Sequence, residues 1–432
     1  MSALQFIVQG GQRLKGDIRP SGNKNAALPI ICGALLTEHP VTLENVPRIR
    51  DVETLVELVQ STGAELRWTG PNTLHIHAKT VRSADLDPQL CRKIRASILL
   101  AGPLLARCGH IKLPPPGGDV IGRRRVDTHF LALERLGVLF DLDDSFHLST
   151  PGLRGADVFL DEPSVTGTEN AVMAAVAASG TTILRNAASE PHVQDLCHFL
   201  VSMGAEIEGI GTNRLTVNGG RTLGGTTHRI GPDHIEVGSF IGLAAVTGSE
   251  IRIVEAGVEH LRSTLMGFSR LGISCTIDGP NIIVPAEQSK EIRTDLGGHV
   301  SKLEDQPWPA FPADTMSIAL VTATQCSGMI LIHEKMFESR LFFVDKLIGM
   351  GARIVLCDPH RALVAGPSKL RGGTVESPDI RAGMAMLIAA LCAEGQSTIN
   401  NVAQIERGYE RIDERLRSLG ALITSTEERR GA

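Results

Sequence analysis

One pattern of apolar and polar positions recurs six times along the chain. It opens with a segment apolar at nearly every position: KNAALPIICGALL, RKIRASILLAGPLLA, TENAVMAAVAA, EVGSFIGLAAV, DTMSIALVTAT and IRAGMAMLIAALCA. Apolar on every side, these segments are predicted to be buried helices, with Pro29 and Pro103 interrupting two of them. A short run of strand character follows each: VTLENV, HIKLP, TTILRN, EIRIVEA, MILIHE and STINNV. Next comes an amphipathic segment that ends on a hydrophobic residue plus glycine and leads into a second short run. These ends read VQSTGAELRW, LERLGVLFDL, LVSMGAEIEG, FSRLGISCTI, LIGMGARIVL and LRSLGALITS. The glycines are Gly63, Gly137, Gly204, Gly272, Gly351 and Gly420, spaced 74, 67, 68, 79 and 69 residues apart. Glycine suits the left-handed position that ends a helix and turns the chain into a strand.

The repeating unit is therefore buried helix, strand, amphipathic helix, strand, and six units divide into two α/β domains of three. The cut is expected near Thr226–Pro232, where GGRTLGGTTHRIGP is rich in glycine and poor in apolar runs. The domains are expected at 22–230, carrying the Asp119 loop, and at 1–21 with 232–432. The strand QFIVQG precedes the first unit and is placed with the second domain, giving two crossing linkers. A helical solenoid also repeats, but units of this length that contain strands fit closed domains better.

With 432 residues, 42% of them apolar and 21% charged, the chain can fill two cores. A formal charge of −5 speaks against general nucleic-acid binding and leaves room for a local basic site. No apolar run reaches membrane-spanning length and no secretory leader is visible, so no membrane insertion and a cytoplasmic location are expected. The eight cysteines are scattered, without CxxC or metal-ligand spacing, and read as free thiols. No metal is expected.

The candidate chemistry gathers where the buried helices start. Lys24 and Asn25 open the first, Arg95 is early in the second, Thr168 and Glu169 open the third, Glu236 the fourth, Asp314 the fifth and Arg381 the sixth. A buried helix start carries unpaired N–H groups and partial positive charge, so these cations beside it make an anion site. The loop PPPGGDVIGRRRVDTH, residues 114–129, lets backbone amides approach a ligand and is followed by Arg123, Arg124 and Arg125. It is no Walker sequence, and an arginine triplet alone also fits a solvated face. Its Asp119 is a candidate general acid, provided burial raises its pKa. Arg340, Asp379 and Arg407 lie in further polar loops.

SGNKNAALPI, IRASILLAGPLLAR, PPGGDVIGRRRVDTH, GTENAVMAA, FPAD, FESR and ERGYERID, in order over nearly the whole chain, resemble the signatures of the enolpyruvyl transferase family, in particular its UDP-N-acetylglucosamine 1-carboxyvinyltransferase branch. The resemblance implies two inside-out α/β barrels, each of three repeated units with buried helices. It implies transfer of the enolpyruvyl group of phosphoenolpyruvate to the 3-hydroxyl of UDP-N-acetylglucosamine, the first committed step of peptidoglycan synthesis. By the same resemblance Lys24, Arg124 and Arg407 line the phosphoenolpyruvate pocket, with Arg95, Arg340 and Arg381 adding positive charge. Asn25 and Asp314 contact the sugar, and Asp314 takes the hydroxyl proton. Arg124, Arg125, Val126, Asp127 and Thr128, with Ser164, Val165 and Thr166, hold the uridine diphosphate. Asp119 stands where the common form has cysteine, Arg125 where it has proline, and Ala313 and Met316 where it has threonine and glutamine. The implied partners are the two substrates alone: no cofactor, no nucleic acid and no obligate protein. A transferase acting on another acceptor, such as a nucleotide or shikimate phosphate, shares the scaffold, as would a non-catalytic nucleotide sensor. Retention of Lys24, Asp119, Asp314 and Arg407 together favours an enzyme.

Overall fold

A helix apolar on all sides has to be surrounded, and this need sets the architecture. The computed structural model describes residues 4–118, 122 and 124–426; Asp119 and Arg123 lie outside them. The described residues fall into two units, a first of 22–118 and 124–231 and a second of 4–21, 122 and 232–426. Each has its own hydrophobic core.

At the centre of the second unit the helices His234–Thr247, Met316–Ala323 and Ile380–Cys392 pack on one another. Every residue of Met316–Ala323 is buried. In the first unit the inner helices are Lys24–Gly33, Val165–Ala177 and Ala101–Cys108, the last preceded by a 3-10 segment, Arg95–Leu100. The second inner segment was expected as one continuous helix. It changes geometry just ahead of Pro103, which lacks an N–H and sits most easily in the first turn of an α-helix, as it does in Ala101–Cys108. Pro29 is accommodated within its helix. The third inner helix starts at Val165, earlier than the expected Thr168.

The amphipathic segments form the outer helices Arg50–Ser61, Asp127–Arg135, Pro191–Ser202, Arg262–Arg270, Val344–Gly349 and Ile412–Ser418. The glycine beyond each takes positive φ, from +76° at Gly272 to +108° at Gly204, a region open to glycine without steric penalty.

The strands form six small sheets among the described residues, one for each of the six repeats. In five of the six sheets the strand after the inner helix is internal, as Thr181–Arg185 illustrates. It pairs in parallel with Asp157–Phe159, which precedes its helix, and antiparallel with Arg214–Asn218. Two of the parallel edge strands are exchanged. Lys15–Ile18 joins Glu250–Ile253 in the second unit, and Thr226–Arg229 joins Val41–Glu44 in the first. Phe6–Gln9 completes the last sheet, between Gln396–Asn400 and Leu422–Ser425. The His110–Leu113 sheet has three strands, and its parallel neighbour shrinks to one bridge, Asp85 to Lys112. This is the mixed α/β, helix-inside arrangement expected.

All eight cysteines are free, as expected; four are buried and Cys357 is exposed. No helix of the described residues is long and apolar enough to cross a membrane.

Close helix packing depends on small residues. A Cβ on Gly242 would lie 2.6 Å from Ile318 Cγ2 and 2.9 Å from Thr322 Oγ1. Both neighbours are β-branched and stiff at χ1. Gly242→Ala is therefore expected to destabilise by about 1–3 kcal/mol, the usual range for overpacking. At about 2–4 °C per kcal/mol for a domain of this size, thermal unfolding should show the shift. Gly349 is exposed, and a Cβ added there would have nothing within 4 Å, so it should accept alanine with no loss. Equal melting temperatures for the two variants would contradict this packing.

Candidate functional site

In the first unit Asn23 caps the helix Lys24–Gly33, its Oδ1 accepting from Asn25 N at 2.8 Å and Ala26 N at 3.2 Å. Capping fixes the first turn, so Lys24 points inward and is 7% exposed. Its Nζ lies 2.6 Å from Asp51 Oδ2, on the first turn of Arg50–Ser61. A lysine this buried needs such a counter-charge.

Arg95, where the second inner segment begins, donates through Nη2 to the carbonyls of Arg124 (2.9 Å) and Arg125 (2.7 Å). Burial, then the neighbouring charge of Arg124, lowers its pKa to about 10. Arg95 thus fastens the start of the 124–128 segment. Arg125 turns to carboxylates, Asp127 Oδ2 at 3.1 Å and Asp161 Oδ2 at 2.9 Å. The buried Thr128 hydroxyl donates to Asp161 Oδ1 at 2.7 Å. That hydroxyl, and then Arg125, hold Asp161 below the usual carboxylate range.

Ser164 caps Val165–Ala177, its Oγ accepting from Gly167 N at 3.2 Å. Its first turn is tied to the loop through His129. Asn170 Oδ1 accepts from Gly102 N at 2.9 Å, so Asn170 Nδ2 donates, to Ile98 O and to His129 Nδ1. His129 then carries its proton on Nε2 and donates to Thr166 Oγ1 at 3.0 Å. Burial, helped by Arg95, holds its pKa near 3, which keeps the ring neutral as this network requires.

In the second unit Asp314 sits on a 3-10 turn, Ala313–Thr315, at the mouth of an inner helix. Its Oδ1 accepts from Arg340 Nη2 at 2.8 Å, and its Oδ2 from Arg381 Nε at 3.2 Å and Nη2 at 3.1 Å. Arg340 is 3% and Arg381 5% exposed. Burial is the largest influence and works against both charges, but Asp314 and other nearby acidic groups together outweigh it, so both remain cationic. Asp379 caps the helix that Arg381 opens, accepting from its N–H at 2.8 Å. The Arg381 guanidinium lies 5.6 Å over the Tyr409 ring, and its buried Nη1 makes no hydrogen bond. Arg407, half-buried on the 3-10 segment Val402–Arg407, donates to Gln404 Oε1 at 2.9 Å.

The expected site residues thus fall into coherent groups. Arg95, Arg124, Arg125, Asp127, Thr128 and Thr166 belong to one network in the first unit; Asp314, Arg340 and Arg381 form one clamp in the second. Lys24 is joined to Asp51, and Arg407 to its own segment. Asp119 is outside the described residues. Sequence reasoning missed Asp51, Asp161 and Asn170. Asn170 left a signal, as a lone amide in an apolar helix needs a buried partner; the two aspartates left none, being surface-type residues paired at long range.

A family model described as EPSP synthase (3-phosphoshikimate 1-carboxyvinyltransferase) matches residues 8–416. A UDP-N-acetylglucosamine 1-carboxyvinyltransferase of Bradyrhizobium diazoefficiens is 72% identical, over 100% of both chains. Its namesake in Treponema denticola is 54% identical, over 98% of this chain and 100% of its own. Among solved structures, the enolpyruvyl transferase NikO from Streptomyces tendae superposes with TM-score 0.87 at 24% identity, covering 99% of this chain and 100% of its own. EPSP synthase from Acinetobacter baumannii gives TM-score 0.75 at 17% identity, with the same coverage. At those identities the two structures speak for the fold alone. By the extent of the family match and the full-length identity of these relatives, the chain belongs to the enolpyruvyl transferase family described as EPSP synthase (3-phosphoshikimate 1-carboxyvinyltransferase).

Proposed function

We propose that the protein transfers the enolpyruvyl group of phosphoenolpyruvate to the 3-hydroxyl of UDP-N-acetylglucosamine, releasing phosphate, as the first committed step of peptidoglycan synthesis. The observation that carries the choice of acceptor is the 72% identity, end to end, with a relative named for that reaction. The sugar oxygen attacks C2 of phosphoenolpyruvate while a proton is delivered to C3. The tetrahedral adduct then loses phosphate and the C3 proton, which restores the double bond.

Asp314 receives the hydroxyl proton, and its clamp by two guanidiniums fixes the carboxylate's position. Asn25 contacts the sugar. Lys24, Arg124 and Arg407 take the anionic groups of phosphoenolpyruvate, with Arg95, Arg340 and Arg381 adding positive potential. Asp119 supplies the C3 proton. Arg124–Thr128 and Ser164–Thr166 hold the uridine diphosphate; the support for this pairing is that His129, the residue after Thr128, is hydrogen-bonded to Thr166.

The direct test is mass spectrometry of the product formed from phosphoenolpyruvate and UDP-N-acetylglucosamine, set against uridine monophosphate and shikimate 3-phosphate as acceptors. An enolpyruvyl adduct of the UDP-sugar alone is expected, and preference for another acceptor would overturn the reading.

Asp314→Asn keeps the shape and loses the proton acceptor. Turnover should fall by about 10²–10⁴, the usual worth of a positioned base, while calorimetry still detects UDP-N-acetylglucosamine binding. Native turnover would remove Asp314 from this role.

Asp161→Ala strips Arg125 and Thr128 of a shared partner. KM for the UDP-sugar should rise with kcat little changed, by about 1–3 kcal/mol of lost binding. A fall in kcat alone would show that Asp161 does not serve the nucleotide.

A further inference from the structure

At the Nε end of Arg340 stands a carboxyl group that the scheme above leaves unused. Glu334 directly follows the strand Gly328–His333, and its backbone is pinned at both ends. Its N–H donates to His360 O at 2.8 Å, and its carbonyl accepts from His360 Nδ1 at 2.7 Å. The side chain is fully buried. As a carboxylate neither oxygen finds a donor, and Oε2 lies 3.9 Å from Arg340 Nε, which makes no hydrogen bond; as the neutral acid, Glu334 can donate to the Asp305 carboxylate. The equally buried Asp305 is served differently, accepting from the N–H groups of Lys335 at 2.5 Å and Met336 at 3.3 Å.

A carboxylate sealed from water without a donor is unstable relative to the neutral acid. Glu334 has one cation at hand, and that cation's Nη2 is committed to Asp314. The charged groups around it divide accordingly. Arg340 favours ionisation, whereas Asp305 and Asp314 oppose it, and Asp379 and Arg381 bear on Arg340 from the helix Ile380–Cys392. Burial is the largest influence and pushes the acid up to about 10. Ionised, Glu334 would draw Arg340 Nε across the 3.9 Å gap and compete with Asp314 for the guanidinium.

We propose that Glu334 is a positioning residue for the transfer reaction: held as the neutral acid, it backs the Nε edge of Arg340 and leaves that cation's charge and Nη2 donor to Asp314. The inference rests on the role given to Asp314 above. It goes further in naming a buried acid outside the family motifs, and in stating which protonation form does the work.

Two substitutions and one spectrum test it. Glu334→Gln keeps shape and neutrality and should keep native kcat and KM. Glu334→Leu fills the space without a polar edge. It removes the buried carboxyl and its bond to Asp305, which keeps the N–H groups of Lys335 and Met336, so it should fold with near-native stability. Its kcat should nonetheless fall about 10- to 100-fold, the effect of a misplacement near 1 Å, with UDP-sugar binding retained. Infrared difference spectra of native protein and the Gln variant at neutral pH should show the loss of one protonated-carboxyl C=O band. A Gln variant as impaired as the Leu variant, native kcat in the Leu variant, or no band lost would each overturn the proposal. Native turnover in Asp314→Asn would instead sink the role of Asp314, and the infrared result would stand apart from it.

Discussion

A helix sealed inside a protein must find partners for its first N–H groups, and this chain has six such helices to satisfy. Four are capped by a side chain: Asn23, Ser164, Asp233 and Asp379 each accept from the N–H groups of the first turn. The cap fixes the direction of entry, and the residues just after it have nowhere to point but inward. Three of these are charged, and each has acquired an opposite charge: Lys24 with Asp51, Glu236 with Arg415, Arg381 with Asp314. Removing one member of a buried pair typically costs about 3–5 kcal/mol, so these partners are requirements of the fold before they are anything else. The chemistry is built from what the fold already had to place there.

The two units meet this requirement differently. In the first, neutral donors and acceptors do most of the fastening: carbonyls receive Arg95, a hydroxyl reaches Asp161, and a neutral histidine links the loop to a helix start. Such a network holds a segment in one conformation without committing much charge, which suits recognition of a nucleotide. In the second, one carboxylate stands between two buried guanidiniums, and the excess of positive charge suits anionic groups.

Much of the fold was legible because it repeats. Six glycines at near-even spacing all take positive φ after an outer helix, and all six apolar segments lie inside. QFIVQG was expected to pair with the second domain, and Phe6–Gln9 lies in its last sheet. The strands Lys15–Ile18 and Thr226–Arg229 were not legible as strands, being short and mostly polar, and only tertiary packing pairs them with Glu250–Ile253 and Val41–Glu44. At the site, the cations at helix starts could be found because position and residue type coincide there. Asp51, Asp161 and Glu334 could not: an acid on a solvated face and an acid sealed behind an arginine look alike until the chain is folded.

Asp314 is the counter-charge for two buried cations, and the site in the second unit derives from this necessity. Equilibrium unfolding of Asp314→Asn in the second unit tests it most directly. Its side chain is 26% exposed, so the loss should fall short of a fully buried pair, at about 2 kcal/mol or more, and inorganic phosphate should restore part of it. An Asn variant as stable as the native protein, or more stable, would contradict the account.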